Sequence, residues 1–191
     1  MNGQVMKTLP VELLVEGRAC AVIGSDHFVE PKVERLLSAG ADVTWFTCGA
    51  ARQRSDCRIV ADLPEDAAAF EPYFVIFVSP NQSEFGRTLR SPLVCVLDRP
   101  EQSTFVNPAI VETPAFALRL FSRGVSPGLT RRLREDLEEA FNDANFSKFV
   151  SVLKRKRDNL ERGLRATEMS RAVAGFELRI QWKFPSWLKS E

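Results

Sequence analysis

The stretch ACAVIGSDHFVEPKVERLLSAGADVTWFT, residues 19–47, sets a β-rich run, a glycine turn, a helical segment and a second β-rich run directly after one another. Ala19–Gly24 and Asp42–Thr47 are apolar enough to be strands buried on both faces. Between them Pro31 suits the first turn of a helix, and Val33, Leu36 and Leu37 fall on one helical face at i, i+3 and i+4. Ala39–Gly40–Ala41 closes that helix, with Gly40 free to take a left-handed cap. Strand, turn, helix, strand in this order predicts two parallel strands joined by a crossover helix.

Further short apolar runs stand at Arg58–Ala61, Tyr73–Ser79 and Leu93–Asp98. Five such strands alternating with helical stretches predict an α/β class fold, a Rossmann-like doubly wound parallel sheet. The composition changes after Pro108. Pro114–Ser122 reads as another strand, and Ser126–Pro127 opens a helix, with Ser126 as N-cap and Leu129, Leu133 and Leu137 as its apolar stripe. Phe146 to Trp182 reads as a second, highly charged helical region, broken near Gly163 or Gly175.

The net charge of +1 conceals an uneven division: residues 1–112 hold 10 basic and 15 acidic residues, whereas 113–191 hold 16 and 10. A basic second part suits either an anionic ligand or a solvated helix face; without interleaved aromatics or a recognised motif, nucleic acid is not expected. Cys20, Cys48, Cys57 and Cys95 are 28, 9 and 38 residues apart, with no CxxC pair and no neighbouring histidines, so a metal site is not expected, and Cys20 and Cys95, inside apolar runs, are expected to be buried free thiols. No run approaches the length of a membrane span, and the start MNGQVMKTLPVELL lacks a leader-like apolar core. A cytoplasmic protein without membrane attachment is expected.

The turn of the quoted stretch is Gly24-Ser25-Asp26-His27-Phe28-Val29. A dinucleotide-binding turn uses one glycine for the bend, a second for close approach of the pyrophosphate and a third small residue for helix packing. Gly24 fits the first role. Asp26 stands at the second position and brings a negative charge to the phosphate side; Val29 stands at the last. Asp26 also suits simple capping of the helix.

Three blocks resemble the precorrin-2 dehydrogenase family, also known as the siroheme synthase N-terminal domain. They are LPVELLVEGRACAVIGSDHFVEPKVERLLSAGADVTWF (9–46), CVLDRPEQSTFVNPAIV (95–111) and FSRGVSPGLTRRLREDLEE (121–139). Members of that family oxidise precorrin-2 to sirohydrochlorin with NAD, and some insert iron to make siroheme. The resemblance implies an NAD-binding-type domain over 1–112, a dimerisation segment over 113–146 that interlocks a homodimer, and a C-terminal helical domain over 147–191 that helps form a tetrapyrrole cleft.

It further implies Asp98 as the catalytic base, at the end of a strand where ligands of open α/β sheets gather. Gly24, Ser25, Asp26, His27, Thr47, Ser79 and Asn81 become the candidate NAD-contacting residues. Ser122, Arg123, Gly124 and Ser126 become the candidate tetrapyrrole contacts, with iron as a further substrate in some members. Departures from the pattern fall on the nucleotide side: Cys95 replaces an Asn, and SPNQSEFGRTL (79–89) lacks the family's Thr-Asp-Asp and its following Asn. Three readings follow: an NAD-dependent precorrin-2 dehydrogenase with or without chelatase activity, a tetrapyrrole-binding or iron-inserting protein that no longer uses NAD, and a non-enzymatic regulator of tetrapyrrole synthesis.

Overall fold

The computed structural model describes residues 7–50, 53–113, 116–122, 125–186 and 188. The chain divides into two compact units, Met1–Pro108 and Ala109–Glu191.

The first unit is built on five parallel strands: β1 (Ala19–Ile23), β2 (Asp42–Phe46), β3 (Arg58–Val60), β4 (Val75–Val78) and β5 (Val94–Val96). Their order is β3-β2-β1-β4-β5, the doubly wound arrangement expected from the sequence. The progression of strands across the sheet reverses between β1 and β4, so the loops after those strands form a crevice at the topological switch point. Helix α1 (Glu30–Ser38) makes the crossover from β1 to β2, and Gly40 closes it at φ +77°. The Gly40 and Ala41 amides then return to the carbonyls of Leu37 and Leu36 at 2.9 and 3.0 Å.

Side chains alternate between the two sheet faces. Cys20, Val22, Val43, Trp45, Val75, Phe77, Cys95 and Leu97 pack with Val29, Val33 and Leu36 of the α1 side. Ala21, Ile23, Phe46, Ile76, Val78, Val94 and Val96 pack with Phe70 on the opposite side. Each fully buried aliphatic residue here contributes roughly 1.5–3 kcal/mol, and the paired faces explain why these strands are almost wholly apolar. Short helical turns replace the other crossovers: a 3₁₀ turn at Ala67–Phe70 precedes β4, and a 3₁₀ turn at Pro80–Gln82 leads into α2 (Ser83–Gly86) before β5.

The second unit opens with an antiparallel pair, β6 (Ala109–Glu112) and β7 (Ala117–Leu120). Three helices follow: α3 (Pro127–Phe141), α4 (Ala144–Asp158) and α5 (Arg165–Val173). Ser126 caps α3 as expected, its hydroxyl accepting from the Leu129 amide at 3.1 Å. Asp143 caps α4 by accepting from the amides of Asn145 and Phe146. Phe116, Phe141, Phe146, Phe149 and Phe176 form a chain of ring contacts with centroids 4.8–6.0 Å apart.

The helical reading of 146–182 holds through α4 and α5, but helix ends at Val173 and residues 176–185 are neither helix nor strand. From Phe176 the apolar residues recur every second position, a spacing that spreads them around a helix instead of gathering them on one face.

Candidate active site

Gly24 follows β1 at φ +126°, a conformation that side-chain-bearing residues rarely adopt. A Cβ there would lie 2.3 Å from the Ser79 Cβ and 3.5 Å from a Val29 methyl. The absence of a side chain therefore lets the loop after β4 approach β1, quite apart from any ligand. The Gly24 carbonyl accepts a 2.7 Å bond from the buried Trp45 indole on β2, which fixes the start of the turn from the other side.

The turn then folds back over the crevice. Asp26 accepts at Oδ1 from the Phe28 amide at 2.9 Å. Its Oδ2 accepts from the hydroxyl of Ser79, which is 1% exposed, and from the Asn81 side-chain amide at 3.4 Å. Ser79 in turn accepts from the Asn81 amide at 3.1 Å. Gly24, Asp26, Ser79 and Asn81, four of the sequence-derived candidates, thus meet across the switch point. Asp26 does not cap α1: the N-cap position is Val29, without a side-chain bond, and Asp26 caps the tighter turn before it.

This arrangement is a test of how the crevice suits a dinucleotide. A backbone amide, a hydroxyl and a carboxamide already hold one anion there, and the same donor set suits a phosphate oxygen. The Asp26 carboxylate is that anion, so the donors fit the group and Asp26 competes with it.

The other candidates lie as follows. Ser25 is half-buried beside Asp26. His27 is exposed with its ring against Phe28, centroids 4.0 Å apart. Thr47, just past β2, is fully buried, and its hydroxyl has no hydrogen-bond partner among the described residues. Ser122 and Ser126 are half-buried residues of the second unit; Arg123 and Gly124 lie outside the described residues.

Asp98 ends the turn after β5, exposed at the C-terminal edge of the sheet, with φ +56°. Asp is among the few residues that tolerate this left-handed backbone, and the twist directs the chain away from the sheet into the 3₁₀ turn at Pro100–Gln102. Within electrostatic reach of it stands Lys32 of α1, to which sequence reasoning gave no role. Burial lowers the Lys32 pKa, and Arg35 pushes the same way, while Cys95 and Asp98 oppose them. The available signal was its place beside the buried Val29–Val33 stripe, one turn into the helix that borders the crevice.

Cys95 is 4% exposed on β5, and burial raises its thiol pKa to about 11 against the opposing effects of Lys32 and Ser103. Cys20 and Cys95 are buried free thiols, as expected, and Cys48 and Cys57 are free and partly buried. Among the described residues no group of three or more His, Cys, Asp or Glu side chains could hold a metal ion. Nor is any described helix long and apolar enough to cross a membrane.

Comparison with known proteins decides the family. A family described as putative NAD(P)-binding matches residues 11–109, more than half of the chain. The chain belongs to this family. Among relatives of this NAD(P)-binding family protein is a siroheme synthase of Methylobacillus flagellatus, 28% identical over 144 residues, an alignment covering 70% of this chain and 31% of that protein. A siroheme synthase of Salmonella arizonae is 29% identical over 149 residues, covering 70% and 32%. The match thus takes in about a third of the length of these relatives. A solved structure described as SirC, precorrin-2 dehydrogenase, shares the fold with a TM-score of 0.72 at 19% identity, covering 87% of this chain and 89% of that one.

Proposed function

We propose that this protein acts on the precorrin-2 and sirohydrochlorin stage of tetrapyrrole synthesis as an NAD-dependent precorrin-2 dehydrogenase. The observation that carries the reading is Asp98, an exposed carboxylate held by a left-handed turn at the C-terminal edge of β5, beside the β1–β4 crevice. The siroheme synthase relatives and the shared fold with a precorrin-2 dehydrogenase support the substrate class.

Oxidation of the reduced macrocycle removes a hydride and a proton. Ser79, Asn81 and the Phe28 amide are the groups that would hold the phosphates of NAD once Asp26 turns aside, and the cofactor, when bound, would supply the hydride acceptor. Asp98 takes the proton, a general-base role worth typically 10²–10⁴ in rate. Lys32 adds a positive charge near the same edge, favourable to a substrate carboxylate. Ser122, Arg123, Gly124 and Ser126 are the proposed substrate contacts of the second unit. Iron insertion would use the same base, because metal entry displaces two pyrrole protons. A cytoplasmic location fits four free thiols in a reducing compartment, and the homodimer rests on the family resemblance.

Incubation of the purified chain with precorrin-2 and NAD, followed by the absorbance of sirohydrochlorin, tests the reading. Product should appear faster than in the enzyme-free control. An equal rate would sink the dehydrogenase assignment, and sirohydrochlorin binding without NAD binding would replace it with the NAD-independent tetrapyrrole reading.

A further inference from the structure

Beyond α5 the chain reads Phe176-Glu177-Leu178-Arg179-Ile180-Gln181-Trp182-Lys183-Phe184. Every even position is a large apolar residue and every odd position is charged or an amide, the period-two pattern of a half-buried strand. Yet the segment joins no sheet, and Leu178, Ile180, Trp182 and Phe184 are 53–67% exposed. Five large apolar residues at alternate positions, each half-exposed or more, are a stretch that a soluble monomer seldom leaves open. Phe176, at the start of the segment, meets the ring cluster of the second unit, stacked on Phe149 of α4 with centroids 5.2 Å apart.

We propose that residues 176–184 pair as an antiparallel β-ribbon with the same residues of a second copy of this chain, about a twofold axis through Ile180. In this register Phe176 faces Phe184, Leu178 faces Trp182 and Ile180 faces itself. On the polar face Glu177 opposes Lys183, an attractive pair that the symmetry provides twice, and Arg179 opposes Gln181. Neighbouring same-face registers are penalised. A twofold at Arg179 sets that arginine against itself, and one at Gln181 sets Arg179 against Lys183. The segment is thus self-complementary in apolar pattern and in charge, with the best charge match in the longest register. In the single chain Glu177 pairs with Arg179 at 2.9 Å, an exposed contact that the opposing lysine would share or replace. This contact lies outside the segment that the family resemblance implicates in dimerisation.

The test uses the full chain. Directly opposed residues of an antiparallel pair have Cα atoms about 4.5–5.5 Å apart, within the span of a disulfide. Ile180→Cys should therefore cross-link to itself under mild oxidation, with the disulfide-joined pair of identical peptides carrying the substituted position identified by mass spectrometry. Phe184→Cys, roughly 27 Å from its own copy in this register, should not self-link. Glu177→Lys should weaken the dimer about tenfold or more by sedimentation equilibrium. The doubly reversed Glu177→Lys/Lys183→Glu protein should regain wild-type affinity, with unchanged helical circular dichroism throughout. A monomer at tens of micromolar, a dimer indifferent to Glu177→Lys, or self-linking of Phe184→Cys as efficient as that of Ile180→Cys would each overturn the proposal. So would a monomer that uses the segment only on lipid vesicles.

Discussion

The donors that hold Asp26, namely the Phe28 amide, the Ser79 hydroxyl and the Asn81 carboxamide, make no distinction between a carboxylate and a phosphate oxygen. A dinucleotide must displace an anion of the protein's own and then tolerate that charge nearby, which costs about 1–4 kcal/mol between water-like and surface-like dielectrics. Asp26→Ala is expected to tighten NAD binding at least ~10-fold by calorimetric titration; equal or weaker binding would show that Asp26 does not compete. Asp98 is the opposite case, a charge the reaction needs. Asn tolerates the same φ of +56°, so Asp98→Asn should fold normally and lose about 100-fold or more in kcat, whereas retained turnover would remove Asp98 from the chemistry. Cys95 yields a pH prediction. Its pKa is raised from 9.0 to about 11 in the fold, so its stabilising contribution is complete below pH 9.0 and disappears as pH rises through about 11. Unfolding titrations should lose on the order of 2–3 kcal/mol across that window, with a shallower decline in Cys95→Ala.

Among the elements, β1, its turn and α1 form a unit whose glycine was legible for one reason and is required for another. The sequence marks Gly24 as the bend of a nucleotide-binding turn; the structure adds that β1 and the loop after β4 meet there too closely for a Cβ. Gly24→Ala combines a disfavoured backbone with a 2.3 Å clash against Ser79. It should cost about 3 kcal/mol or more in chemical denaturation even without ligand. An effect confined to NAD affinity would mean that the glycine serves the cofactor alone. The strands and α1 were readable because two-sided burial leaves an almost unbroken apolar run and an i, i+3, i+4 face leaves a helical one. The crossovers near Ala67–Phe70 and Pro80–Gly86 were not, because three- and four-residue helical turns are too short to establish a period. The tail after Val173 reads as a continuation of the charged helical region when composition alone is weighed, although its spacing is that of a strand.

For the whole molecule, the opposed charges of the N-terminal and C-terminal parts bear on ligand choice. A tetrapyrrole carrying many carboxylates is attracted to the basic second unit and repelled by the acidic first. Screening at high salt weakens both effects, but only the attraction operates where the ligand docks. If the second unit supplies the docking surface, sirohydrochlorin affinity should fall at least ~5-fold as ionic strength rises from ~0.01 M to ~1 M. Salt-insensitive binding in fluorescence titration would place recognition on apolar contacts instead.

The order of apolar runs, glycines and prolines was enough to determine a doubly wound sheet, the crossover helix α1 and the caps at Gly40 and Ser126. These follow from local backbone preference and the period of burial, which neighbouring residues encode. The bonding of Asp26 depends on the folded arrangement, because its partners Ser79 and Asn81 lie more than fifty residues away and meet it where β1 and β4 adjoin. The same holds for Lys32, drawn near Asp98 by the packing of α1 on the sheet. Charge and hydrogen bonding act through space, and sequence spacing carries no record of them until the strand order is known.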